Sequence, residues 1–248
     1  MGKWVMAEGQ VYEEFNHELH VCPRFVPPKN WPHYWCFDFG YVDPFVWLDL
    51  VEDPDTGIVY LYRELYHTEM RVEDACNIIK QSTYGEAPPM ALICDHDAEN
   101  RATLEKEFGY LTLPAFKLIH PGIQGVKTRL QMSKRRSNSS NPDGRPGLYI
   151  MENAGIRIDP KLKARYKPHS TLDEVDCYVW DTGKMSLDKY KDMPVDKDNH
   201  GMDALRYGIA FIDNLATDPQ QFEKVVHYND VGLDEEMGHY LDTMISWY

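Results

Sequence analysis

The sequence is short of positive charge, poor in cysteine and without any long apolar run, and each shortage removes a class of protein. Its 26 lysines and arginines face 40 aspartates and glutamates, a formal net charge of −14 at pH 7. That balance excludes a nonspecific, histone-like nucleic-acid binder. It leaves room for a nuclease, whose site is acidic and needs only one basic face. The five cysteines (Cys22, Cys36, Cys76, Cys94, Cys177) are scattered and form no CxxC pair, which argues against a disulfide frame or a zinc cluster. No apolar stretch approaches the length of a membrane span, so no membrane partner is expected. The start, Met1-Gly-Lys-Trp-Val-Met-Ala-Glu8, lacks the sustained apolar core of a secretory signal, and an intracellular chain is expected. There is no GxxxxGKS/T phosphate loop. Gly125-Val-Lys-Thr128 is a superficial echo inside a predicted helix, and ATP hydrolysis is not expected.

What is present is a chain of 248 residues, 43% hydrophobic and 12% aromatic, enough for a sizeable core. Pro23, Pro27, Pro28 and Pro32 keep the first segment extended. Apolar runs predict strands at 33–39, 45–51 and 58–66, the last two joined by the turn Glu52-Asp-Pro-Asp-Thr-Gly57. Val72, Ala75, Cys76 and Ile79 predict a helix over 70–82. A buried strand is expected at 90–94, a helix over 98–108 closed by Gly109, a strand over 111–118 and a helix over 122–132. A polar, basic loop, Ser133–Gly144, precedes a strand at 148–151. A short helix near 159–166, a helical turn after Ser170, a strand at 177–180 and a helix over 201–215 complete the reading, followed by an acidic tail from Asp218. The order predicts a mixed α/β sheet with helices on both faces.

Two carboxylates stand at strand ends, Asp38 and Asp95. If those strands run parallel as neighbours, both side chains emerge at one edge, where open α/β sheets build their sites. His200 and Asp203 lie three apart at the start of the last helix and share a face. Oxygen-rich clusters of this kind suit Mg²⁺ or Mn²⁺. Two such ions, roughly 3.5–4 Å apart, serve in-line phosphodiester cleavage, with Asp38 between them and Asp95 and Asp203 each completing one ion's shell. Each residue also has a bland reading: a turn former or cap at Asp38 and Asp95, a capping histidine at His200, an exposed helical residue at Asp203.

Several separated motifs in order then bear on the choice. Phe37-Asp-Phe-Gly-Tyr-Val-Asp-Pro-Phe45, Ile93-Cys-Asp-His-Asp-Ala-Glu99 running on to Gly109, Gly122-Ile123 to Leu130, Asp143-Gly-Arg-Pro-Gly-Leu-Tyr-Ile150 and Asn199-His-Gly-Met-Asp-Ala-Leu-Arg-Tyr207 resemble the nuclease domain of the large terminase subunit of tailed bacteriophages. Ala7–Phe15 with His20-Val21 resembles the segment that joins the packaging ATPase to that domain. The resemblance implies a ribonuclease H-like fold with a β-hairpin or basic-loop insertion. It implies a metal-dependent endonuclease that cuts concatemeric double-stranded viral DNA with Mg²⁺ or Mn²⁺, at Asp38, Asp95 and Asp203, with His200 at the rim. Asp95 is taken over Asp97 because it directly follows the strand and its distance to Gly109 fits the family. Asn199 departs from the aspartate often found there, Asp43 reads as a turn residue, and Arg206 as an ion-pair partner.

The implied partners are double-stranded DNA, the packaging ATPase domain, the small terminase subunit and the portal, in the host cell cytoplasm. The implied division is an approach segment (1–32), the nuclease domain (33–215) and the acidic tail (216–248). Lys127, Arg129, Lys134, Arg135, Arg136 and Arg145 are candidate phosphate contacts beside the metal site; a solvated loop is the other reading. Another ribonuclease H-like nuclease, such as a resolvase or transposase, and a non-catalytic docking module are the alternative functions.

Overall fold

The central strand pair fixes the architecture. In the computed structural model, which describes residues 9–181 and 193–215, β2 (His33–Asp38) follows a short helix α1 (His17–His20) and a two-residue strand β1 (Val21–Cys22). β3 (Phe45–Asp53) and β4 (Ile58–His67) return antiparallel as a meander, and β5 (Ala91–Cys94) lies parallel to β2 on its other side. β6 (Thr112–Pro114), β7 (Leu148–Met151) and β8 (Gly155–Arg157) complete an eight-stranded mixed sheet. Its order is β1-β7-β4-β3-β2-β5-β6, with β8 also pairing β4.

Alternation along the strands gives each face its own core. Trp35 and Phe37 of β2 and Phe45 and Trp47 of β3 point to one face. There they meet α2 (Val72–Ser82) and α3 (Ala98–Phe108) through Val72, Ala75, Cys76, Ile79 and Leu104. Cys36, Val46, Leu48 and Leu50 point to the other, under α4 (Ile119–Leu130), α6 (Thr171–Cys177) and α7 (His200–Ile212). The remaining helix, α5 (Pro160–Ala164), starts on the Asp159 cap, whose side chain accepts from the Lys161 and Leu162 amides. The fold is thus ribonuclease H-like, a mixed sheet with helices on both faces.

Two expectations need correction. Only Thr112–Pro114 of the 111–118 segment is strand. Pro114 has no N–H to continue a ladder, and α4 already begins at Ile119. Cys177–Trp180 is not a strand: Ser170 caps α6 by accepting from the Asp173 amide and the helix runs to Cys177. Val179 and Trp180 make only isolated bridges, to Gln10 and Pro194.

Ahead of His33, Val11, Tyr12 and Phe15 are buried in the larger core and Val21–Cys22 pairs with Ile150–Met151. The described residues fall within one compact unit, Met1–Leu215. Residues 1–8 of the expected approach segment and the expected acidic tail lie outside the described residues.

Candidate metal-binding cleft

Register alone sets the first two carboxylates side by side. In the parallel ladder Phe37 pairs with Cys94, so the next residues, Asp38 and Asp95, leave the sheet at the same edge. After Asp38 the chain turns tightly. A Cβ at Gly40 would lie 2.5 Å from the carbonyl oxygens of Asp43 and Pro44, so only glycine fits the loop that walls the cleft. α7 crosses the same edge with its first turn, bringing His200 and Asp203.

Asp38, Asp95, His200 and Asp203 line one cleft of about 510 Å³, together with Asp43, Lys117, Asn199, Arg206 and Tyr207 among others. All four expected site residues are therefore brought together. Asp97 is not among them; its side chain caps α3 by accepting from the Glu99 and Asn100 amides.

Asp38, Asp95 and Asp203 are each engaged by a basic side chain of the chain itself. His200 Nδ1 lies 2.9 Å from Asp38 Oδ2, Arg206 NH2 donates to Asp203 Oδ1 at 2.8 Å, and the Lys117 ammonium pairs with Asp95 Oδ1. Burial pushes the Asp38 carboxyl up to about 6 against the His200 hydrogen bond, with the charges of Asp203 and Asp95 adding to the rise. Burial would lower His200, but the hydrogen bond and charge of Asp38 leave its imidazole raised. Asp95 is held low: burial raises it, and the Lys117 contact and the His96 amide outweigh that.

The donor set is hard, carboxylate oxygens from three elements plus one imidazole, which is the chemistry Mg²⁺ and Mn²⁺ prefer. The residues fit such ions in kind. Among the described residues, however, no three His, Cys, Asp or Glu side chains are close enough to hold an ion together, and each of the three carboxylates is paired with a basic side chain instead.

The basic residues do not sit beside this cleft as expected. Arg129 is buried, its NH2 and Nε donating to Asp213 and its NH1 to the Gly57 carbonyl at 2.8 Å. With Arg135 and Arg136 it lines a second cleft, of about 660 Å³, that also contains Glu52, Gly57 and Asp213. Glu52 donates its amide to the Pro32 carbonyl, so this cleft lies at the start of β2, whereas Asp38 is at its end. Asp213 follows the last turn of α7, about 15 Å along the axis from Asp203 at 1.5 Å per residue. Lys134 and Arg135 are exposed, Arg136 and Arg145 half-buried, and Lys127 lies 3.7 Å from Glu14. Ser133 and Arg145 bridge to close the loop.

Sequence reasoning missed Lys117 and Glu174. Lys117 stands in no motif, and nothing in its neighbours, Ala115-Phe116 and Leu118, marks it out. Fully buried Glu174 accepts the Met202 amide at 2.8 Å and the Tyr66 hydroxyl at 2.6 Å. It thereby supplies the cap that Asn199 does not make at the start of α7.

No protein-family model matches the sequence, and no curated protein is similar to it in sequence. The fold is nonetheless shared with solved structures. The large terminase from a thermophilic bacteriophage, in two crystal forms, gives TM-scores of 0.59 and 0.62 at 21% identity, over 85% and 86% of this chain and 47% and 46% of the larger one. The nuclease domain of the P22 large terminase gives a TM-score of 0.58 at 14% identity, over 85% of this chain and 95% of that one. The chain thus spans about half the length of the thermophilic phage's terminase. The likeness is one of fold: that of large-terminase nuclease domains.

Proposed function

We propose that the chain is the metal-dependent nuclease domain of a phage large terminase and cuts concatemeric double-stranded viral DNA during packaging. The observation that carries this reading is the placement of Asp38, Asp95 and Asp203 on one cleft at the carboxyl edge of a terminase-type sheet. Asp38, Asp95 and Asp203 would hold two Mg²⁺ or Mn²⁺ ions, which supply the Lewis-acid charge that phosphodiester hydrolysis by water requires. Asp38, the most buried of the three, would be the ligand common to both ions. His200 orients it through Nδ1, and Glu174 fixes the helix start that carries His200 and Asp203. Lys134 and Arg135 would neutralise DNA backbone at a distance from the cut, without reading sequence.

In the whole protein the packaging ATPase domain, the small terminase subunit and the portal are its partners, in the host cell cytoplasm. ATP hydrolysis belongs to that ATPase domain and not to this chain. A docking module is the second reading, favoured by the pairing of Asp38, Asp95 and Asp203 with basic side chains of the chain itself.

The two readings part in a plasmid assay with Mg²⁺, Mn²⁺ or chelator. Wild type should nick and linearise plasmid only with metal. Asp38→Asn should lower the rate by a factor of about 10³ or more, the scale of losing a group that stabilises the transition state. Wild-type rates from Asp38→Asn would sink the assignment, and an inert wild type that still binds DNA would favour docking.

A further inference from the structure

Three basic side chains, Arg206, His200 and Lys117, line the acidic cleft, and they differ in how freely each could leave its carboxylate. The Arg206 side chain is 4% exposed. Its stem lies where a Cβ on Gly122 would come within 2.4 Å, and its guanidinium sits 5.1 Å from the Tyr207 ring centroid. It is walled in. His200 is fixed by the first turn of α7, with 21% of its side chain exposed. Lys117 lies in the link between β6 and α4, its side chain 48% exposed. A four-carbon stem in that position can swing to solvent without disturbing the core.

Its partner, Asp95, is the least buried of the three carboxylates, 29% exposed against 23% for Asp203 and 11% for Asp38. An ion pair this open is weak. A divalent cation with hard oxygen ligands competes well for the same carboxylate, and an ammonium is a good phosphate ligand once released.

We propose that Lys117 is an exchangeable internal cation: it neutralises Asp95 until a divalent ion takes the carboxylate, and the displaced ammonium then contacts a DNA phosphate at the cleft. The inference rests on the nuclease reading. Before the ion arrives, the pair limits repulsion among three neighbouring carboxylates. After it arrives, the same charge serves the substrate. No covalent step is involved; one electrostatic partner replaces another.

The test uses Lys117→Met, which keeps the stem and removes the charge, with Lys117→Arg as the charge-retaining control. Mn²⁺ binding is followed without DNA, through the free-ion EPR signal. Binding of a short duplex is followed by fluorescence anisotropy in Ca²⁺ over a salt series. Lys117→Met should bind Mn²⁺ about three- to fivefold more tightly, the worth of an open ion pair. It should also bind duplex more weakly, with a salt slope reduced by about one phosphate contact, and Lys117→Arg should resemble wild type in both. A purely structural lysine would move both affinities down together or neither. If wild type binds Mn²⁺ and cuts DNA while Lys117→Met gains no Mn²⁺ affinity or loses no duplex affinity, this inference fails alone. If wild type binds no Mn²⁺, the nuclease reading fails with it.

Discussion

Arg129 joins three parts of the chain through one guanidinium. Nε and NH2 reach the Asp213 carboxylate just past α7, and NH1 reaches the carbonyl of Gly57 in the β3–β4 turn. With 9% of its side chain exposed against 26% for Asp213, the pair is largely withdrawn from water, and removing one member strands the other. Arg129→Ala should therefore cost about 2–3 kcal/mol in urea unfolding, somewhat less than a wholly buried pair, and leave duplex affinity unchanged. A variant of wild-type stability that binds DNA poorly would return Arg129 to the DNA-contacting set. Nothing in the local sequence separates Arg129 from Arg135. Burial of the first is decided by Asp213, far along the chain, so a cluster of basic residues read by composition merges a structural arginine with solvent-facing ones. Asp38 and Asp95 were legible for the opposite reason. Each ends an apolar run, and a parallel register needs no further information to set them side by side.

At the scale of elements, the site depends on how closely α7 can approach the sheet. Gly208 makes the approach possible: a Cβ there would lie 2.5 Å from Cys36 Sγ and from Leu50 Cδ1. Both are packed core atoms with little room to yield. Gly208→Ala should destabilise by about 1–3 kcal/mol, the usual penalty of overpacking, and displace the helix that carries His200 and Asp203. Differential scanning calorimetry should show the lower Tm and the plasmid assay a slower cut. An unchanged Tm would mean that α7 rides further from β2 and β3 than these contacts imply. α7 itself was plain in the sequence, because Met202, Leu205, Ile209 and Ile212 keep helical spacing. The strand expected at 177–180 failed because an apolar run of four residues carries no period long enough to tell strand from helix end, and the Ser170 cap extends α6 through its first residue. The capping of α7 by Glu174 was illegible, since the partner comes from another helix and leaves no local pattern.

The whole molecule carries a pH dependence set by two buried glutamates behind the cleft. Glu64 accepts the Thr171 amide at 2.9 Å, and Glu174 accepts from Tyr66 and Met202. Burial dominates these hydrogen bonds and raises Glu64 to about 7 and Glu174 to about 8. Their folded values lie above the ordinary glutamate value of about 4.3. Between those limits the folded chain holds protons that the unfolded chain has released, so stability is full below pH ~4 and falls as pH rises through 7 and 8. Asp159 works in another window. Its hydrogen bonds from Thr68 and the α5 amides outweigh burial and hold it at about 2. That stability is present above pH ~4 and lost only as pH falls through about 2. The two windows together place the stability maximum in mild acid. Asp38, raised to about 6 by burial, adds to the fall on the alkaline side, because its folded value also lies above its ordinary one. Calorimetry in chelator from pH 4.5 to 8.5 should show wild-type Tm falling with rising pH. Glu174→Gln, which can keep an acceptor for Met202 while its amide donates to Tyr66, should show a flatter profile. A flat wild-type profile would mean that Glu64 and Glu174 ionise as they do in water, and that the packing around the start of α7 admits solvent.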